Sequence, residues 1–409
     1  MDKDTVIQSS FYNISSMDFP QGDDYLSDIE LITMSSTGIL DAQVVNMTLN
    51  ESCMMLVNAI KVFRLGFFDC AFFSLRQTIE LSISGIYLYS NKEKLKDWNR
   101  GEDGFEKGRM AQLLKHNDYT FNNIHEKLSF YYEALRETER HIDKYVHKQG
   151  VVTFYTYHGR TPDYHLKHKQ KITKDFETYL KDCIGAVLVY RLVIDPLPLL
   201  LSDEEIAYRS PDFITAPFSQ SLVKKYLGEK IINAYKQTDI YKGYYENLSC
   251  REKQNDAVYD LIHWQLINRN FMDDYVNQVH LLSYYDRLAL IIVFASSKVS
   301  NCYLMNGFSW YTTDTKSHRN ASSIVYGDEF YKKCFPDDTN YNMHFENVFI
   351  SRCNAFGETH YFEHNSLLNE QEIYIIEHGV NELNKNFIET NKTLEKWYEE
   401  HIKIQKKSQ

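Results

Sequence analysis

The 409-residue chain is poor in the two residues that punctuate a backbone: it has 16 Gly and 7 Pro, roughly half of average usage. Few breakers mean few turns and long elements. That disfavours a sandwich or barrel of many short strands, and it excludes collagen-like or Gly/Pro-rich disordered chains. Cysteine is sparse and badly placed for bridging. The seven are Cys53, Cys70, Cys183, Cys250, Cys302, Cys334 and Cys353. Their odd number, wide spacing and lack of any C-x-x-C argue against a disulfide framework or a Cys-ligated zinc site, and predict a reducing, cytoplasmic setting. The start, Met1-Asp2-Lys3-Asp4-Thr5, lacks the basic and apolar regions of a signal peptide. Long hydrophobic runs are missing too. Residues 183–201 are interrupted by Arg191, Asp195, Pro196 and Pro198, and residues 288–299 are too few to span ~30 Å of hydrocarbon; no membrane partner is expected. Positive charge is short, with 45 Lys/Arg against 56 Asp/Glu, net −11. A broad basic surface for non-specific nucleic-acid coating is therefore excluded. No P-loop, G-x-S-x-G or G-x-G-x-x-G occurs, and no cofactor or metal is expected.

What is present is an ordinary globular balance, 43% hydrophobic and 25% charged, with a strong helical period. Residues 1–45 show no sustained period and are expected to form an irregular arm. Leu56, Ile60, Phe63, Phe67, Ala71, Leu75, Ile79, Ile83 and Ile86 step by three or four, which predicts one long, central, buried helix. Arg76 and Glu80 stand four apart on it, as an internal ion pair or as part of a site. A second helix is expected over 124–148, then a hairpin insertion over 151–163 around His158-Gly159-Arg160, then a helix from near His165 to Asp195-Pro196. Residues 203–300 read as mostly helical, with the best helices at 252–268 and 277–300. Short strands are expected within 306–365, at 307–311, 323–326 and 348–350, and a charged helix from Asn369 to the end, with a break near Gly379. The predicted class is mainly α: a helical bundle over 46–202 and a second helical domain over 203–409 with a small irregular β insertion.

The second helix carries the chemistry. Counting ~100° per residue from Arg140, Ile124, Leu128, Tyr131, Leu135, Ile142 and Val146 form the buried stripe. Arg136, Asp143, Lys144 and His147 fall on the opposite side, within about 60° of Arg140, and His141 lies on the flank. Such a face is also what any solvated helix presents. The charge around it is local, however. Residues 140–181 hold nine Lys/Arg and four Asp/Glu, net +5, leaving 36 against 52, or −16, for the remainder; five of the 15 histidines lie in the same window. A phosphate chain has a place to sit there.

Arg140-His141-Ile142-Asp143-Lys144-Tyr145-Val146-His147 resembles the HEPN signature, an Arg followed after four to six residues by His, and Leu75-Arg76-Gln77-Thr78-Ile79-Glu80-Leu81 on the earlier buried helix is similar to HEPN domains as well. The resemblance covers about residues 50–200. Arg136 and His141 match the short form of the same motif; the long arm and the hairpin insertion depart from the pattern. The resemblance implies a metal-independent endoribonuclease of toxin or antiphage-defence type that dimerises, so that Arg and His of two copies line one cleft on the RNA. His147 would be the general acid/base and Arg140 would brace the scissile phosphate. His141 or Asp143 would be a polar helper, and Arg136, Lys144 and Lys148 would contact substrate. Many HEPN-like domains have lost catalysis, so a non-catalytic dimerisation or interaction protein using the same polar face is the alternative. In either case the C-terminal half is expected to act as a sensor or to dock a protein partner or trigger.

A third reading rests on His360-Tyr361-Phe362-Glu363-His364, which matches H-x-x-E-H, a zinc-peptidase pattern. That chemistry needs a helix, so that both histidines share a face, and a later Glu as third ligand. The aromatic content of this stretch is at least as compatible with a strand.

Overall fold

The computed structural model describes residues 16–102, 107–154, 162–211, 214–319 and 339–405. Helix makes up 66% of it, so the expectation of a mainly helical protein holds. Two compact units divide at Arg251 and Glu252, not at residue 202. Helices after Asp195-Pro196 stay with the first unit, because Phe218, Leu222, Leu227 and Tyr235 belong to its core.

The first unit opens on α1 (Gly22–Thr33), inside the stretch expected to be an irregular arm. It is fixed by partners far along the chain, which a local period cannot reveal. Tyr25 Oη donates to Glu177, and Asp28 accepts from Lys225 and Tyr226. The loop after it caps a buried cation: Arg191, 1% exposed, donates to the Ser35 carbonyl and pairs with fully buried Asp195 at 3.1 Å. Next come α2 (Gln43–Arg64) and α3 (Phe68–Ser90), an antiparallel hairpin where the spacing predicts one long helix. The apolar period runs on through the turn because both helices bury their faces in one core. The stop is Gly66, at φ +91°, with Gly66 N–H bonded to Phe63 O and Phe67 N–H to Val62 O. This is the closing pattern in which a glycine takes the left-handed position that other residues resist.

Three shorter helices follow, α4 (Lys92–Asn99), α5 (Lys107–Asn117) and α6 (Tyr119–Lys127), and then α7 (Ser129–Val146). The helix expected over 124–148 is thus broken at Leu128. Asp118 caps α6 by accepting from Phe121 N–H, which satisfies one of its orphan amides. Of the expected hairpin, Val151–Thr153 is a 3-10 turn and Pro162 already begins α8 (Pro162–Arg191); His158-Gly159-Arg160 lies outside the described residues. Ring pairs join α2 and α3 to α7 and α8: Phe63 stacks on Phe176 and Phe72 on Tyr145, each with centroids 3.9 Å apart. Helices α9 (Gln220–Tyr226), α10 (Gly228–Tyr235) and α11 (Asp239–Ser249) complete the unit.

The second unit contains α12 (Asp256–Trp264), α13 (Tyr284–Ala295) and a mixed sheet. The strands are β1 (Leu266–Ile267), β2 (Val299–Leu304), β3 (Ser309–Thr313), β4 (Met343–Phe345), β5 (Val348–Ala355) and β6 (Glu358–His364). Their order is β1-β3-β2-β6-β5-β4, antiparallel except for β1 with β3. The sheet is larger than the irregular insertion expected, and it takes residues from the end of the helix expected over 277–300. Every residue of β2 is buried, and a short run apolar on both sides does not distinguish strand from helix by period. The expected strand at 323–326 lies outside the described residues. The final helix, α14 (Glu370–Gln405), packs on α13 and β5. It runs unbroken through Gly379, where a Cβ would meet Ile291 Cγ2 at 2.6 Å: the glycine admits a neighbour rather than a break.

Candidate functional site

The site stands in the first unit, where α3 and α7 run side by side. Arg76 on α3 is the hub. Its Nε donates to Glu80 at 3.1 Å, and its Nη1 lies 2.9 Å from Asp143 Oδ1 and 2.8 Å from His147 Nε2. The ion pair expected within α3 is therefore present and belongs to a four-residue network. An arginine only donates, so in this arrangement it occupies the Nε2 lone pair of a neutral imidazole. His147 is exposed at the end of α7, where its N–H bonds to Asp143 O.

Lys148, the residue after His147, sits at φ +52°, a left-handed conformation that costs a non-glycine residue roughly 1–2 kcal/mol. The turn aims it at α3: its Nζ lies 3.0 Å from Asp69 Oδ2 and donates to Thr153 O. It is thereby engaged away from the face where substrate contact is expected. Arg140 is exposed and ion-paired with Glu137 one turn back, with no bond to His147. His141 is also exposed and lies against the Tyr179 ring of α8, centroids 5.9 Å apart. Arg136 and Lys144 are exposed. Within one chain, then, Asp143 and His147 of the expected set come together, Arg76 and Glu80 join them, and Arg140, His141 and Lys148 do not.

Behind this network is a cavity of about 800 Å3. Its charged residues, Arg76, Glu80, Arg136, Glu139 and Asp143, are half-buried or exposed, whereas Phe121, Tyr132, Leu135 and Tyr190 in its wall are buried. Burial pushes the Glu139 carboxyl up to about 7, with Asp143 and Glu80 adding to the rise and Arg136 and Arg76 opposing it. His125 in the same wall is driven down to about 4, first by burial and then by Lys115 and Arg136. Tyr132, 6% exposed, has no hydrogen-bond partner for its hydroxyl among the described residues. Residue-by-residue reading of the polar face passes over Glu139, His125 and Tyr132. A signal did exist: Tyr132, Arg136, Glu139 and Asp143 stand at i, i+4, i+7 and i+11, one helical stripe.

The H-x-x-E-H stretch forms β6, not a helix. Alternation along a strand sends His360 and His364 to one face and Glu363 to the other, so the zinc reading loses the geometry it requires. All three are buried and bonded elsewhere. His360 Nε2 reaches Ala355 O at 3.1 Å, His364 Nε2 reaches Ser351 Oγ at 2.8 Å, and Glu363 pairs with Arg319 at 3.1 Å. Among the described residues no cluster of three His, Cys, Asp or Glu side chains is placed to hold a metal ion, and no helix is long and apolar enough to cross a membrane. No protein-family model matches the chain, nor does any curated protein or solved structure.

Proposed function

We propose that the chain is a metal-independent endoribonuclease of toxin or antiphage-defence type, with His147 as acid/base and Arg76 as its phosphate-bracing partner. One observation carries this reading: the two short segments that resemble HEPN motifs, around Arg76/Glu80 and Asp143/His147, meet in a single network although they are 71 residues apart at the Arg76–His147 contact. In the resting chain Arg76 holds the Nε2 lone pair. An incoming phosphate draws that guanidinium to its own oxygens, since a charge-assisted bond to an anion is stronger than one to a neutral ring. The freed Nε2 then takes the proton of the RNA 2′-OH, the 2′-oxygen bonds to phosphorus, and the 5′-oxygen leaves. The products are a 2′,3′-cyclic phosphate and a 5′-hydroxyl. Arg140, exposed on the same helix, is available to a second copy, and the proton that His147 took passes to the leaving 5′-oxygen.

A second reading has its own support. Arg76 is already held by Glu80 and Asp143, and Arg140 by Glu137, which suits a polar docking face without catalysis. The two separate cleanly. In the nuclease, His147→Ala lowers cleavage by ~10²–10⁴, the share an acid/base group contributes, with an unchanged melting temperature because His147 is exposed. Cleavage persists in EDTA and leaves cyclic phosphate ends. Wild-type protein that cuts no RNA, and whose expression leaves growth unaffected, favours the docking face instead.

A further inference from the structure

We infer that the cavity between α3, α5, α6 and α7 is a guanine pocket, in which the Glu139 carboxylate accepts the two N–H donors of the base's Watson–Crick edge. The inference leans on the nuclease reading only for the reason a base arrives there. Its own support is fourfold.

A volume of about 800 Å3 falls in the range of small-molecule sites. Inside it the Tyr132 hydroxyl has no partner among the described residues at 6% exposure, and the half-buried Glu139 carboxyl lines the same wall. A buried hydroxyl left so carries a desolvation cost that a bound ligand recovers. The wall is aromatic, with the His125 ring stacked on Tyr132 at 4.4 Å and 9° and with Phe121 and Tyr190 beside them, a surface on which a base stacks. Finally, the charge is wrong for a phosphate. Glu80, Glu139 and Asp143 outnumber Arg76 and Arg136, and Arg76 is already paired. The interior favours a neutral, donor-rich group and leaves the phosphate outside, at His147. Of the four RNA bases only guanine offers two adjacent donors, N1–H and N2–H, to the paired oxygens of a carboxylate; adenine, cytosine and uracil each pair a single donor with an acceptor.

The test is calorimetric titration of the full chain carrying His147→Ala with guanosine, with adenosine, cytidine and uridine in parallel. Alongside it, cleavage ends are mapped on short RNAs containing one guanine, using wild type. Guanosine is expected to bind at least tenfold tighter than the other nucleosides. Glu139→Gln, the same shape with one acceptor exchanged for a donor, is expected to abolish that preference without lowering the melting temperature, and Tyr132→Phe to weaken binding by a smaller factor. Guanosine binding together with cleavage placed by the guanine means that the base enters as part of the RNA. Guanosine binding without RNA cleavage keeps the pocket, for a free guanine nucleoside, and ends the nuclease reading. Cleavage indifferent to guanine with no guanosine binding overturns the pocket and keeps the nuclease. Neither binding nor cleavage overturns both.

Discussion

Glu139 shows how far a single residue's surroundings can move its chemistry. Its carboxyl stands at about 7 in the folded chain, chiefly through burial, against an ordinary 4.5. Below the unfolded value the proton is on in both states and folding pays nothing. As pH rises through 7, the folded protein must carry a charge that burial, Asp143 and Glu80 disfavour and that Arg136 and Arg76 only partly offset, so stability is lost. Glu139→Gln avoids that loss. The variant should melt near wild type at pH 5 and above it at pH 8, with about 2–4 °C gained per kcal/mol for a unit of this size. An equal effect at both pH values would remove this account. His125 runs the other way. Held down to about 4 by burial, Lys115 and Arg136, it contributes stability above its unfolded value that is lost as pH falls toward 4. The pH 5 arm therefore needs His125 intact in both proteins.

At the scale of elements, the α2–α3 hairpin is held closer than its apolar stripes require. A Cβ on Gly85 would sit 1.9 Å from Thr48 Oγ1, which is itself bonded to the carbonyls of Val44 and Val45. Gly85→Ala should therefore forfeit the helix-propensity gain and destabilise by ~1–3 kcal/mol, as overpacking does. Gly243, with nothing within 4 Å of its Cβ position, should gain roughly 0.8–1 kcal/mol on the same change. Thermal melts of the two variants check this, and matching shifts would contradict it. The hairpin also shows what was legible beforehand. Period and breaker scarcity identify α2, α3, α7 and α8 as helices with their inward faces, because 3.6-fold spacing is a local property. They miss where helices stop. The turn at Gly66 depends on one backbone conformation, and α1 depends on residues such as Glu177 and Lys225, far away in sequence. The site divides in the same way. Arg76, Asp143 and His147 were visible as residue types, whereas their meeting, and the cavity beyond Glu139, required the packing of α3 against α7.

At the scale of the whole molecule, the two compact units have hydrophobic cores with no residue in common. Each should unfold as its own cooperative step, since shared burial is what couples segments. Calorimetry should show two transitions. Phe63→Leu should move one and Phe362→Leu the other, each residue being fully buried in its own core. One transition shifted by both substitutions would show the chain to be a single cooperative unit. Order of synthesis adds something that the finished fold conceals. Helix α1 takes three of its anchors, Glu177, Lys225 and Tyr226, from far along the chain, besides Arg64 on α2. A ribosome adding ~5–20 residues per second needs on the order of 10–40 s to deliver them. The α2–α3 hairpin, whose partners are neighbours, has no such wait. Helix α1 is thus made early and fully fastened late. Until the chain has passed Tyr226, Asp28 of α1 lacks the Lys225 and Tyr226 donors that hold it in the finished unit.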